Sequence, residues 1–208
     1  MIIGLTGMPG SGKSTVADYL RDKYKFSIIN MGDVVRDAMS AEGLEINSDS
    51  LREFSENMRK AYGYAAIAQM TIKVIGNRRK AKYLCIDGIR SPWEIRYFKD
   101  TLDGEFVMLA IDCPTEIRHS RLLARSRKDD PETREGLLKR DEKEEGFGVL
   151  EAIKLADFKL TNTSTIEALY RDLEVVLKNK EKQKSKKTLC NRNRQNIPTR
   201  CGGRFLFL

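Results

Sequence analysis

The 208-residue sequence predicts an α/β domain built in three layers, a five-stranded parallel sheet flanked by helices. Three observations predict it. Short apolar runs alternate with longer helix-like segments, the pattern of parallel strands joined by crossover helices. The first run, "MIIGLT", leads into the glycine loop "GMPGSGKS" at residues 7–14 and then into a helix-forming stretch, the order a phosphate-binding loop requires. The chain is also long enough to bury one such core unaided.

Five runs read as strands: "MIIGLT", "FSIIN", "KYLCID", "FVMLAID" and "DFKLT". Between them lie "STVADYLRDKY", the region 33–77, "PWEIRYFKDTL", the region 115–152 and "STIEALYRDLEVVLKN". A crossover needs about a dozen residues. Regions 33–77 and 115–152 exceed that, so each is expected to carry an inserted element, and both are rich in arginine. Within the first, "SDSLREF" offers a Ser/Asp cap before a helix. The domain is expected to span 1–177, with its insertions at 33–77 and 126–147.

After Asn179 the alternation fails. Residues 178–208 hold ten Lys/Arg against the single acid Glu181, a net +9, which leaves −1 for the rest of a chain whose total is +8. Basicity is thus a property of the tail, and composition gives no reason to read the folded part as a nucleic-acid binder. The tail is expected to be disordered, with the last helix reaching into its lysines, and it is suited to RNA or acidic surfaces.

Four cysteines (Cys85, Cys113, Cys190, Cys201) without a C-x-x-C pair, and one histidine, His119, make neither a zinc site nor a disulfide framework. Cys85 and Cys113 sit in or beside strand-like runs as small core residues, and His119 is expected to be exposed on its helix. No apolar run reaches the roughly 18 residues of a membrane span. The N-terminal stretch reads as a buried strand and not a signal peptide, so a cytoplasmic location is expected, as a monomer or small homo-oligomer.

The loop "GMPGSGKS" spells G-x-x-x-x-G-K-[ST]. Its backbone N–H groups open a helix whose dipole favours anions. Gly7, Gly10 and Gly12 permit the wrapped backbone, with Met8, Pro9, Ser11 and Thr15 completing the cradle. Lys13 is placed to reach the β- and γ-phosphates of ATP, and the Ser14 hydroxyl to ligate Mg²⁺. A carboxylate at a neighbouring strand end should hold the magnesium through its waters; "KYLCID" supplies Asp87. Arg90 follows three residues later, at the mouth of the sheet where ligands bind in such folds.

Residues 1–177 resemble the adenylate-kinase group of P-loop nucleoside monophosphate kinases, and more closely a family of small archaeal proteins described as adenylate-kinase-related. Four stretches carry the likeness: "GMPGSGKST", "NMGDVVRDAM", "DGIR" and "RHSRLLARSRKDD…KR". The resemblance implies a P-loop NTPase sandwich in which Arg36 and Arg90 hold the acceptor phosphate. It also implies that Arg121 stacks on adenine while Arg125, Arg127 and Arg140 close on the phosphates. Arginine forks suit such work, since phosphoryl transfer asks for positioning and charge neutralisation. The resemblance makes 33–77 the acceptor-binding insertion and 126–147 a short lid, whose arginines Asp129 and Asp130 would fix through ion pairs.

Glu94 stands where those kinases place a glutamine that reads the AMP base, and a carboxylate would pair with amino groups on adenine, cytosine or guanine. The proline of "DGFPR" is absent here. "IGLTGMPGSGKST" and "ADFKLTNTST" are also similar to dephospho-CoA kinases. That likeness would make the acceptor a ribose hydroxyl, with Asp33 as its base, and would place Asn162 near the donor adenine. Asp33 reads equally as a helix N-cap, and Asn162 as a turn residue. The expected activity is therefore Mg²⁺-ATP-dependent phosphoryl transfer to a small acceptor, first a nucleoside monophosphate. The alternatives are the dephospho-CoA kinase-like transfer and an ATP-hydrolysing switch that binds RNA through the tail.

Overall fold

The computed structural model describes residues 1–77, 82–102, 106–125 and 133–195. The chain divides into two compact units, Met1–Tyr170 and Arg171–Leu208, and the first contains the sheet and everything that surrounds the glycine loop. All five expected strands form: β1 (Ile2–Thr6), β2 (Ser27–Asn30), β3 (Leu84–Asp87), β4 (Phe106–Asp112) and β5 (Phe158–Thr161). They pair in parallel in the order β2-β3-β1-β4-β5. The chain fills one side of β1 before the other, so the carboxyl ends of β1 and β3 border the crevice where such sheets bind ligands.

The crossover after β1 is α1 (Lys13–Tyr24), which packs against β2 and β3. The long region after β2 holds three helices, α2 (Met31–Ala41), α3 (Ser48–Tyr62) and α4 (Ala66–Asn77). Two caps differ from the sequence expectation. The side chain of Asn30 caps α2, accepting from Gly32 N–H and Asp33 N–H, so Asp33 lies inside the first turn and is not the cap. The cap of α3 is Asn47, whose side chain accepts from Asp49 N–H and Ser50 N–H while Ser50 Oγ accepts from Asn47 N–H, a reciprocal capping box.

Helix α5 (Pro92–Thr101) starts with Ser91 as cap and proline in its first turn, the favoured place for a residue without an N–H. After β4 come α6 (Thr115–Arg125), α7 (Arg134–Gly146) and α8 (Val149–Lys154). The division between the two units falls within α9 (Ile166–Gln195). That helix runs through all six lysines of the basic segment and on to Gln195, so the helix reaches further than the disorder expected from residue 178 would allow, and residues 196–208 lie outside the described residues.

The main core packs Ile86 and Phe98 with Met39 of α2, Met108 of β4 and Ala68 of α4, all essentially without exposure. Each large apolar side chain buried this way contributes about 1.5–3 kcal/mol. This packing clamps α2 and α4 onto the sheet. Cys85 and Cys113 are buried, as the strand pattern implies, and burial pushes both thiols up. Among the described residues no helix is long and apolar enough to cross a membrane.

Candidate active site

A cavity of about 530 Å³ opens at the carboxyl ends of β1 and β3, with the glycine loop as its floor. Gly7 and Gly12 both have positive φ, 146° and 105°. A Cβ at Gly7 would collide with the carbonyl of Ile111, and one at Gly12 with the side-chain amide of Asn162. Lys13 folds back over the loop, its Nζ donating to the carbonyls of Gly7 at 2.6 Å and Met8 at 3.1 Å. Burial pulls its pKa down to about 8, with the carboxylates of Asp87 and Glu144 opposing that fall. Pro9, Gly10, Ser14 and Thr15 line the cavity. Met8 and Ser11 do not: Met8 packs its side chain with Ala110, Val149 and Ile153, and Ser11 is fully buried.

Asp87 ends β3 at the cavity wall, 6 % exposed. The strand register sets Asn30 opposite it, and Asn30 Nδ2 donates to Asp87 Oδ2 at 3.0 Å. One side chain therefore caps α2 with its oxygen and steers the carboxylate with its nitrogen. Asp87 Oδ1 is buried without a hydrogen-bond partner. Burial raises the Asp87 carboxyl, against the opposing pull of Lys13, Asn30 and Arg90. Among the described residues no group of three His, Cys, Asp or Glu side chains could hold a metal by itself. An oxygen left over on Asp87 and the Ser14 hydroxyl on the same cavity fit a magnesium ion that arrives with nucleotide phosphates and keeps its waters.

Arg90 lines the cavity and its Nε lies 3.1 Å from Oε2 of Glu144, which is 14 % exposed and lines it too. Glu94 is 1 % exposed and faces inward. Its Oε2 accepts the Arg90 N–H at 2.8 Å, and its Oε1 lies 3.5 Å from Arg59 Nη2, so it positions the arginines from beneath. Burial raises its carboxyl, opposed by those same groups. Arg36 is held at 2.6 Å by Asp33, both exposed, and neither lines the cavity, although the Asn30–Gly32 turn before them does.

Arg121, Arg125, Arg140 and Asn162 also line the cavity. Asn162 is buried, its Nδ2 donating to the carbonyl of Ser11 at 2.8 Å while its Oδ1 accepts from Arg121 at 3.3 Å. Arg121 also donates to the Cys113 sulfur at 3.4 Å. His119 departs from its expected exposure: it is 4 % exposed, with Nε2 2.9 Å from Asp141. Arg127, Asp129 and Asp130 lie outside the described residues.

Asn30, Arg59, Arg118, Asp141, Glu144 and Phe147 are site or supporting residues that the sequence reading did not single out. Only two carried a local signal. Asn30 closes a strand run, and Glu144 follows Arg140 by four, one helical turn on the same face.

The family model described as AAA domain matches residues 6–137. A UPF0200 protein of Sulfurisphaera tokodaii is 41% identical over 177 residues, covering 85% of this chain and 96% of that protein. One from Pyrococcus abyssi is 37% identical over 180 residues, with 86% and 96% covered. The chain belongs to the UPF0200 family. The fold is that of a P-loop kinase. TT1252 from Thermus thermophilus superimposes with a TM-score of 0.59 at 25% identity, over 86% of this chain and 97% of that one. Shikimate kinase from Acinetobacter baumannii in complex with shikimate gives 0.54 at 14% identity over 86% and 94%, a likeness of fold alone.

Proposed function

We propose that this UPF0200 protein is a Mg²⁺-ATP-dependent small-molecule kinase whose acceptor carries a phosphate, a nucleoside monophosphate being the first candidate. One observation supports this most directly. The cavity that takes the phosphate loop as its floor also collects Asp87, with its leftover oxygen, and arginines from three different parts of the chain: Arg90 after β3, Arg121 and Arg125 from α6, and Arg140 from α7. A hydrolytic motor needs no second set of arginines; a transferase must hold two anions against each other. Lys13, together with the backbone of Gly7–Ser14, would grip the donor phosphates. Ser14 and Asp87 would hold the magnesium, which supplies charge neutralisation on the transferred group. Arg90 would orient the acceptor, and the α7 arginine would help exclude water.

A second reading is favoured by Glu144. A carboxylate 3.1 Å from Arg90, on the wall of the same cavity, is placed to accept a proton. An acceptor hydroxyl needs such a base, whereas an acceptor phosphate does not. Under that reading Glu144 takes the role the sequence assigned to Asp33.

The deciding experiment is a coupled ADP-release assay with Mg²⁺-ATP and AMP, CMP, GMP, UMP, dephospho-CoA or no acceptor. Stimulation by a monophosphate, lost in Arg90→Ala, would support the first reading. Stimulation by dephospho-CoA, lost in Glu144→Gln, would support the second. ADP release indifferent to every acceptor would point to an ATP-hydrolysing switch.

A further inference from the structure

A phosphate loop holds an anion only while its N–H groups face the cavity, and a carbonyl turned the same way would repel what they attract. Most of the carbonyls here are engaged elsewhere. Those of Gly7 and Met8 accept from Lys13, that of Pro9 from Arg118, that of Ser11 from Asn162 and that of Gly12 from the Val16 N–H. Lys13 and Asn162 line the cavity, but Arg118 does not. It reaches the loop from behind, 3 % exposed, with Nη1 2.9 Å from the Pro9 oxygen.

That contact fixes a peptide plane. Among the described residues no peptide bond is cis, so the Pro9 carbonyl and the Gly10 N–H point in opposite directions. Arg118 draws the oxygen towards α6, which leaves the N–H turned to the cavity that Gly10 lines. The backbone of α6 supports the same place: a Cβ at Gly10 would lie 2.7 Å from the Arg118 carbonyl oxygen, so the crest of the loop sits directly on this helix.

Arg118 is itself held. Both of its terminal nitrogens donate to Asp141, and Nη2 also donates to Thr115 Oγ1 at 3.1 Å. Asp141 accepts from His119 Nε2 as well, and all three of Arg118, His119 and Asp141 are buried. An ion pair that served packing alone could be replaced by two apolar side chains of similar volume. What such side chains could not supply is the donor on Pro9.

We propose that Arg118 is a positioning residue for the donor phosphates: it holds the Pro9–Gly10 peptide so that the Gly10 N–H faces the anion, and Asp141 holds Arg118 in place. Arg118 does not touch the ligand; it acts through the loop, as a group that fixes a preorganised donor before the anion arrives. The role rests on the donor half of the kinase reading and is independent of the acceptor.

Calorimetric titration of the full-length protein with Mg²⁺-ADP and with Mg²⁺-pyrophosphate tests it. The informative variant is Arg118→Met with Asp141→Leu, which removes both charges together, leaves the net charge unchanged and keeps the site filled. Binding is measured where urea unfolding shows the variant to be folded. Both ligands should weaken by the same factor, about tenfold or more, because the loss lies at the phosphates they share. Should the double variant not fold, Arg118→Gln carries the test, since it leaves His119 beside Asp141 but is too short to bridge Asp141 and Pro9. The wild-type protein gives a second measurement: with ¹⁵N-glycine, the Gly10 amide proton should move downfield when pyrophosphate binds.

A folded variant that binds both ligands as the wild type does would overturn the role and leave Arg118–Asp141 a packing pair. So would weakened ADP with unchanged pyrophosphate, which would put the effect on the base side of the nucleotide. A Gly10 amide that pyrophosphate leaves unmoved would overturn it too. The two readings fail separately. Wild-type protein that binds neither ligand removes the donor site, and this role with it. Weakened binding in the variants, in a protein that transfers phosphate to no acceptor, removes the kinase and keeps the role.

Discussion

Arg118 grips Asp141 with both terminal nitrogens, Nη1 to Oδ1 at 3.0 Å and Nη2 to Oδ2 at 2.6 Å, and both residues are buried. Nη1 also donates to the carbonyl of Pro9 at 2.9 Å. A single guanidinium therefore ties the crest of the phosphate loop to α7, the helix that brings Arg140 and Glu144 to the cavity. Burial works to raise the Asp141 carboxyl, but hydrogen bonds from Arg118 and His119 outweigh it and hold the group below the usual carboxylate range.

Removing Asp141 strands a buried arginine beside a buried histidine. Asp141→Ala is expected to cost about 3–5 kcal/mol, and the double change Arg118→Met with Asp141→Leu distinctly less, because no uncompensated charge remains. Urea unfolding of the three proteins measures this. The pH dependence has a definite sign. A depressed carboxyl pKa adds stability that is present at neutral pH and lost as pH falls below about 4. Asp141→Asn should flatten that acid limb; an unchanged limb would show that another carboxylate governs it.

Asp87 behaves in the opposite sense. Burial raises its carboxyl in the folded protein, so the native state binds the proton more readily than the unfolded chain does. Stability then falls as pH rises from the ordinary carboxylate range through the raised value. Asp87→Asn keeps the shape and removes the charge. A neutral-pH increase in Tm of a few degrees is expected, about 1 kcal/mol in a domain of this size. Phosphoryl transfer should fall by about a hundredfold or more, since the magnesium loses its carboxylate. A less stable Asp87→Asn protein would mean that the carboxylate is structural.

Much of this arrangement was legible in the sequence, and the rest was hidden for identifiable reasons. The strands declared themselves because a parallel sheet buries both faces and writes unbroken apolar runs. The loop Gly7–Ser14 is a contiguous motif, so its position needed no tertiary information. Asn30 was missed because its importance depends on β2 lying beside β3 in a register that sets it against Asp87. Strand order is not written locally. His119 reads as exposed, and Arg118 does not stand out, because the acid that binds both is more than twenty residues away, on another helix. Glu144 was masked by its neighbours: in "KRDEKEEG" a run of charges looks like a solvated face. The difference in Glu94 has the same origin, because its inward orientation follows from Arg59 of α3, which no spacing along α5 could indicate.

Lys13 offers a test of the donor site that needs no acceptor. Its pKa of about 8 lies well below the ordinary 10.5, because burial disfavours the ammonium. In the free protein its charge is therefore lost as pH rises through about 8. Between there and 10.5 the unfolded chain binds more protons than the folded one, so stability rises with pH across that window. ATP phosphates restore the preference for the charged form. Nucleotide binding at pH 8–9 should then take up part of a proton, seen in calorimetry as an enthalpy that depends on the ionisation heat of the buffer. Lys13→Met should abolish that dependence; a wild-type enthalpy identical in two buffers would place Lys13 away from the phosphates.

The acceptor chemistry turns on Glu144, where the two functional readings give opposite results for one substitution. If the acceptor presents a phosphate to Arg90, the Glu144 carboxylate competes with it for the same guanidinium. Glu144→Gln would then free Arg90, lowering the acceptor KM several-fold with kcat nearly unchanged, as expected when a repelling charge is removed from ground and transition states alike. That is the expected outcome for a nucleoside monophosphate. If the acceptor presents a hydroxyl, Glu144 must remove its proton, and the same change would lower kcat by about 10²–10⁴ with little effect on KM. The acid limb of the kcat profile would vanish with it. Glu144→Asp separates charge from reach: it keeps the carboxylate but shortens it by one methylene, so it should restore most of the repulsion in the first case and little of the rate in the second.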